Sequence, residues 1–404
     1  MPTIAETQPL VDSAFDDQSH KESAEFERQP ESVIKILLER VERGYRRGID
    51  DDGHKIGLAL DAGGMAGVVS GAMAQKLEPT GILNVVDGFY GLSAGGFNAL
   101  YIAAGQIEEG MGIYTDIFPD NGFIELPKLF PPKMPKMDME VLRDVLYKTR
   151  KLNVKKIVEE RIPVVLGATN LSDPLKRPVM FRSTDLRPEE ADKLIEQTIA
   201  GSHIMVVSGE PVRLDDGKEY TDATMSWSNS IELAKADGCT DVLSLANLPM
   251  PDKESPSNKA GFADTIAGKV GDKYLDSKST KLPKSAYRGS TFGELIRHPF
   301  GSFERRILAS MVGDTGRYIW DIQKYSDVLK RKAAIQKMFT DKHFIVNGVN
   351  VERLYPPDIP ELPSLLTMDK QKLKVGVEAG GLAVKNALGS LGSEEQQASL
   401  AATT

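Results

Sequence analysis

The chain has one cysteine, five histidines and two tryptophans in 404 residues. A lone thiol, Cys239, excludes an internal disulfide framework and a zinc site built from cysteines. No metal or other cofactor is expected. No stretch approaches the roughly 18 uninterrupted apolar residues of a membrane-spanning helix. Positive charge is in deficit, with 50 Lys and Arg against 58 Asp and Glu and a net charge of −8. Without a basic stripe to neutralise phosphates, nucleic acid is not an expected partner. The opening MPTIAETQPLVDSAFDDQSHKESAEFERQP lacks the basic start and apolar core of a signal peptide. The expected location is therefore cytoplasmic, with peripheral contact at membranes as the alternative. At 41% hydrophobic and 27% charged, the chain has apolar mass for one large domain or two ordinary ones.

Residues 1–30 are acidic, poor in large apolar groups and expected to be disordered. Within 31–52, ESVIKILLERVERGYRRG spaces Val33, Ile34, Leu37, Leu38, Val41 and Tyr45 at helical intervals. That spacing predicts an amphipathic helix packed on the core. Residues 53–250 change character. KIGLAL, VVDGFYG, IPVVLGAT and TDVLSLA are short apolar runs separated by helix-like segments such as VVSGAMAQKLEP and AGGFNALYIAAG. The alternation predicts an α/β fold with a mainly parallel central sheet. Residues 251–290, rich in Lys, Ser and Gly, read as a mobile insertion. Residues 291–388 read as a mainly helical C-terminal part completing the domain, with HFIVNG as a last strand. TMDKQKLKVGVEAGGLAVKNAL (367–388) gives the final helix, capped by Thr367 or Asp369, and 389–404 a disordered tail.

Three short stretches carry chemistry. In YGLSAGGFNALYIAAG (90–105), Ser93 stands at the centre of G-x-S-x-G between a strand and a helix. Side chains two before and two after such a serine collide on a sharp strand-to-helix turn, so Gly91 and Gly95 permit the turn. The helix N-terminus then favours negative charge developing beside the hydroxyl. Earlier in the chain, DAGGMAG is a glycine-rich loop after a strand. It lacks the first glycine of a dinucleotide fingerprint, and Asp87 is a poor ribose partner. An oxyanion hole formed by the amides of Gly63 and Gly64 is the better use of that loop. Third, in VRLDDGKEYTDATMSWSNSIELAKADG, Asp215-Asp216-Gly217 reads as a hairpin turn. Asp222 ends the second arm just before a helix that starts near Ser228–Ser230.

In this order, DAGGMAG, GLSAG and YTDAT resemble the motifs of the patatin-like phospholipases, the lipid acyl hydrolases, in their bacterial form. The resemblance spans roughly residues 55–250. It implies a three-layer patatin-like α/β hydrolase in which Ser93 attacks an ester and forms an acyl-enzyme. Asp222 would take the serine proton, without a histidine, and later activate water. A solvated carboxylate near pKa ~4 is a poor base at neutral pH, so the scheme needs Asp222 desolvated or its proton transfer concerted. The chain departs from the family at Ala62 and Ala223, which replace glycines, at Met205 and Ser230, where proline is common, and at Ala66. The last position usually holds a cation able to bind phosphate, which favours a neutral ester, thioester or acylglycerol substrate here. An acyltransferase or cyclase would use the same acyl-enzyme, and a catalytically weak lipid-binding protein would keep only the pocket. The oligomeric state is not legible. His298 and His343 lie downstream of Asp222, as an ordinary Ser-Asp-His triad would require, but neither sits in a supporting motif. His203, in AGSHIMVV, reads as a core residue.

Residues 118–139 set Phe118, Phe123, Phe130, Met134 and Met137 among Lys128, Lys133 and Lys136. The stretch suits either an interfacial lid or a proline-rich loop covering the core.

Overall fold

A computed structural model describes residues 30–125, 136–204, 208–250 and 341–401, with side chains apart from those of 136 and 392–401. The expectations for 1–29, 251–340 and 402–404 lie outside the described residues, as do those for His298, Met205, Phe130, Met134, Lys128 and Lys133.

The architecture is α/β, with a mostly parallel central sheet between helical layers. The strands are β1 Ile56–Leu60, β2 Gly88–Gly91, β3 Ile124–Glu125, β4 Lys136–Met137, β5 Val164–Asn170, β6 Pro178–Arg182, β7 Val212–Arg213, β8 Glu219–Thr221, β9 Asp241–Leu245, β10 His343–Val346 and β11 Val349–Leu354. The main sheet runs β10-β11-β9-β1-β2-β5-β8-β7, with β6 also paired to β5. From β11 to β5 the neighbours are parallel. β10, β6, β8 and β7 are antiparallel additions. The central strands bury both faces: Leu58, Phe89, Leu166 and Leu243 join one core, while Ala59, Tyr90, Val165 and Val242 join the other. That two-sided burial is why KIGLAL and TDVLSLA read as continuous apolar runs.

The helices that matter for the site are α1 Val33–Glu42, α2 Gly67–Leu77, α3 Ala94–Ala104, α4 Ile107–Gly112, α5 Met139–Asp144, α6 Lys193–Gly201, α7 Ser230–Ala236 and α8 Lys370–Ala401. α1, α2, α3, α6 and α8 cover the first core, and α7 the second. Within the stretch expected to be helical from 31 to 52, α1 stops at Glu42. Gly44 and Gly48, both at positive φ, follow. α8 continues past Leu388 into the stretch expected to be a tail, as far as Ala401. The hairpin at Asp215–Gly217 joins β7 to β8, and Asp222 follows β8 directly. α7 starts at Ser230 with Asn229 as its cap. Among the described residues, no helix is long and apolar enough to cross a membrane.

Candidate active site

Ser93 joins β2 to α3 with φ 53 and ψ −124. An L-residue held in such a region costs about 1–3 kcal/mol and persists only where its surroundings impose it. Here they do. A Cβ on Gly95 would lie 2.7 Å from the Leu60 carbonyl carbon, and one on Gly91 2.5 Å from the Gly96 amide nitrogen. Leu60 ends β1, so the turn is pressed against the neighbouring strand. Ser230 donates its hydroxyl to the same Leu60 carbonyl, which gives a use to the serine standing where proline was expected.

β1 leads into the loop at 61–66, on one side of Ser93. Its start is tied down. Arg353 of β11 reaches across β9 to pair with the Asp61 carboxylate and also donates to Ser244 Oγ at 2.6 Å. Asp61 is thereby committed to a buried guanidinium. Asn247 Nδ2 donates to the Asp61 and Ala62 carbonyls at 2.9 and 3.1 Å. Within the loop, the Met65 amide donates to the Leu365 carbonyl and the Ala66 amide to Gly63. Gly64 has φ +53, and a Cβ there would lie 2.5 Å from Leu365 Cδ1. Gly64 and Ser93 line the same cavity, and Ala66 is buried.

That cavity is open to solvent, and its free space counted out through the mouth is about 610 Å³. Phe97 and Tyr101 of α3, Ile113, Tyr114, and Leu142 of α5 form much of its wall. Phe118 and Phe123, stacked with centroids 3.9 Å apart, cover it together with Met137. Thus Phe118, Phe123 and Met137 of the 118–139 stretch are buried over the cavity, while Asp120–Gly122 and Glu125 are exposed, and β3 pairs with β4. Among the described residues, none that lines it is charged. Two polar side chains inside it are mutually satisfied: Tyr114 donates to Asn98 Oδ1 at 3.1 Å, and Asn98 donates to the Gly67 carbonyl at 2.8 Å. Burial pushes the Tyr114 phenol above its usual range, so it stays neutral.

Asp222 approaches from the opposite side. β6 occupies one edge of β5 along 165–169, so β2 and β8 share the other edge. They run toward each other end to end, Gly91 opposite Leu166 and Thr221 opposite Thr169. The gap from 166 to 169 is about 10 Å at ~3.3 Å per residue. Ser93 and Asp222 are the residues at which the two chains turn at that gap. Asp222 is 1% exposed and Ser93 7%. Asp222 Oδ1 accepts from the Thr224 amide at 2.8 Å and the Thr224 hydroxyl at 2.5 Å, which fixes the carboxylate plane. Its own amide donates to the His203 carbonyl at 3.0 Å. Asp222 does not line the cavity; Ser202 and Ile204, flanking His203, do.

Among solved structures the chain is similar to VipD from Legionella pneumophila, with 14% sequence identity, a TM-score of 0.36, and coverage of 82% of this chain and 67% of that one. No protein-family model and no curated protein matches the chain.

Of the two described histidines the sequence singled out, His203 lies beside Asp222 and His343 lies far from it. His203 is buried, and burial holds its imidazole below the usual pKa, so it is neutral at pH 7. His343 begins β10, with Nε2 3.4 Å from Glu352 Oε1. Along the sheet β10 is four strands from β2, about 19 Å at ~4.8 Å each. His343→Ala is expected to leave ester turnover within about twofold of wild type, and a loss as large as that of Ser93→Ala would mark a triad instead. Motif spacing could not reveal Arg353, the Asn98–Tyr114 pair or Ser202. The one local signal was the polar Ser202-His203 pair inside the apolar run AGSHIMVV.

Proposed function

We propose that this chain is a patatin-like serine hydrolase of fatty acyl esters, working through Ser93 and Asp222 and an acyl-enzyme. One observation carries the proposal: a strained, buried serine at a strand-to-helix turn opens into an uncharged apolar cavity. Such a turn stores strain for one hydroxyl, and a purely structural cap has no need of it.

In this reading the acyl chain lies among Phe97, Ile113 and Leu142, with its ester carbonyl at the cavity mouth. Ser93 Oγ attacks the carbonyl carbon as its proton passes to Asp222. The amides of Gly63 and Gly64 receive the oxyanion, those of Met65 and Ala66 being already engaged. Collapse expels the alcohol, which takes the proton from Asp222. Water then repeats the sequence on the acyl-enzyme. The near-complete burial of Asp222 supports it as the desolvated base that the scheme requires. The uncharged lining and Ala66 both favour a neutral ester over a phosphoglyceride.

A panel of p-nitrophenyl esters, run beside phosphatidylcholine and monoacylglycerol with a fluorophosphonate probe, tests this. Octanoate and longer esters should exceed acetate by about tenfold or more in kcat/KM, as burial of several methylenes predicts. The probe should label Ser93. A live enzyme that prefers acetate would remove the acyl-cavity assignment.

A further inference from the structure

Within the proposed site, one buried polar group has no role in the scheme above. Ser202 lines the cavity with Ser93 and is 9% exposed, yet its Oγ has no hydrogen-bond partner among the described residues. A buried hydroxyl without a partner is destabilising, so a wall that keeps one, while its Asn98 and Tyr114 are satisfied, implies a small polar guest.

Its place says which guest. Ser202 follows α6, whose last residue, Gly201, lies against the Gly167 carbonyl of β5. Gly167 falls inside the 166–169 gap where β2 and β8 meet. Ser202 therefore covers that gap on the cavity side. It is also one peptide from the His203 carbonyl, which accepts both the Asp222 amide at 3.0 Å and the Thr221 hydroxyl at 2.7 Å. The loop at 61–66 comes from β1, across β2 from β5. The ester oxygen is thus drawn toward one side of Ser93, while Ser202 and Asp222 stand on the other.

We propose that Ser202 Oγ holds the water that deacylates the enzyme; this rests on the acyl-enzyme reading above. The water donates one hydrogen to Ser202 Oγ and the other to Asp222. As its oxygen bonds to the acyl carbon, the second hydrogen passes to Asp222 as a proton. The tetrahedral adduct collapses, the bond from carbon to Ser93 Oγ breaks, and Asp222 returns the proton to Ser93. A carboxylic acid leaves. Ser202 keeps its own proton throughout, and its contribution falls on the second half-reaction alone.

The full-length protein is mixed with p-nitrophenyl butyrate in a stopped-flow instrument as wild type, Ser202→Ala and Ser202→Thr. In Ser202→Ala the burst rate should stay within about twofold of wild type, while the steady-state rate falls about tenfold, the worth of one hydrogen bond to a reacting group. Intact mass should then show butyryl-Ser93 accumulating, and Ser202→Thr should restore turnover by keeping the hydroxyl. A folded, probe-labelled Ser202→Ala whose steady-state rate is unchanged, or whose two rates fall together, overturns the water site. Absence of fluorophosphonate labelling in the wild type would instead remove the acyl-enzyme reading, and the water site with it.

Discussion

Ser93→Ala should lower turnover of a p-nitrophenyl ester by at least about 10⁴-fold, because loss of a nucleophile leaves only binding and oxyanion stabilisation. Fluorophosphonate labelling should vanish, and the melting temperature should hold, since alanine keeps the Cβ and removes one hydroxyl. Asp222→Asn should cost nearly as much in turnover. The amide keeps the shape, and its oxygen can still accept from Thr224, but it cannot take a proton. A third variant separates chemistry from architecture. Ser93 sits at φ 53, where glycine carries no Cβ penalty, so Ser93→Gly should be as inactive as Ser93→Ala yet more stable by about 1 kcal/mol or more. An inactive variant that gains stability is the mark of strain kept for function. If Ser93→Ala retained a tenth of wild-type turnover, the nucleophile would be elsewhere.

The features legible in the sequence were those with local causes. At the strand-to-helix turn the need for glycine at 91 is a steric matter within five residues, since a Cβ there would meet Gly95 and Gly96, whereas Gly95 is imposed by Leu60 and Asp61. The β7–β8 hairpin announced itself through Asp-Asp-Gly and so placed Asp222 at a strand end. What escaped depends on residues far apart in the chain. VNVERL, which forms β11, carries Asn350, Glu352 and Arg353 and has no apolar continuity, yet all three are buried. Asn350 bonds Asp241, Glu352 accepts from Ser32 and the Ile34 amide, and Arg353 pairs with Asp61. Polar side chains that find partners some hundred to three hundred positions away are invisible to any periodicity. Arg40 is similar. On α1 its guanidinium is fully buried between Asp52 and Asp87 and also bonds the Val85 and His54 carbonyls. Ser202 escaped for the same reason: its relation to Asp222 exists only once β2 and β8 meet on one edge of β5.

Gly95→Ala is the substitution expected to destabilise the fold most for its size. One methyl is added, but it has no flexible neighbour to displace. Its Cβ would lie 2.7 Å from the Leu60 carbonyl carbon and 2.9 Å from the Asp61 carbonyl oxygen, and closer still to the Leu60 oxygen. These are backbone atoms of β1 and of the loop proposed as the oxyanion hole, held in turn by Ser230 and Asn247. Relief requires α3 to lift from β1, opening the core beneath Leu58 and Leu60 and carrying Ser93 away from Gly64. Overpacking a flexible core typically costs 1–3 kcal/mol, and against rigid backbone a loss of about 4 kcal/mol or more is expected. Chemical denaturation should show a lower midpoint, or the variant should not accumulate as folded protein. Gly217→Ala is the control: Gly217, unlike Gly95, is at positive φ and has nothing near its Cβ, so only about 1 kcal/mol of backbone strain is expected. If the two variants melted alike, the close approach of α3 to β1 would be wrong, and with it the placement of Ser93 beside the loop at 61–66.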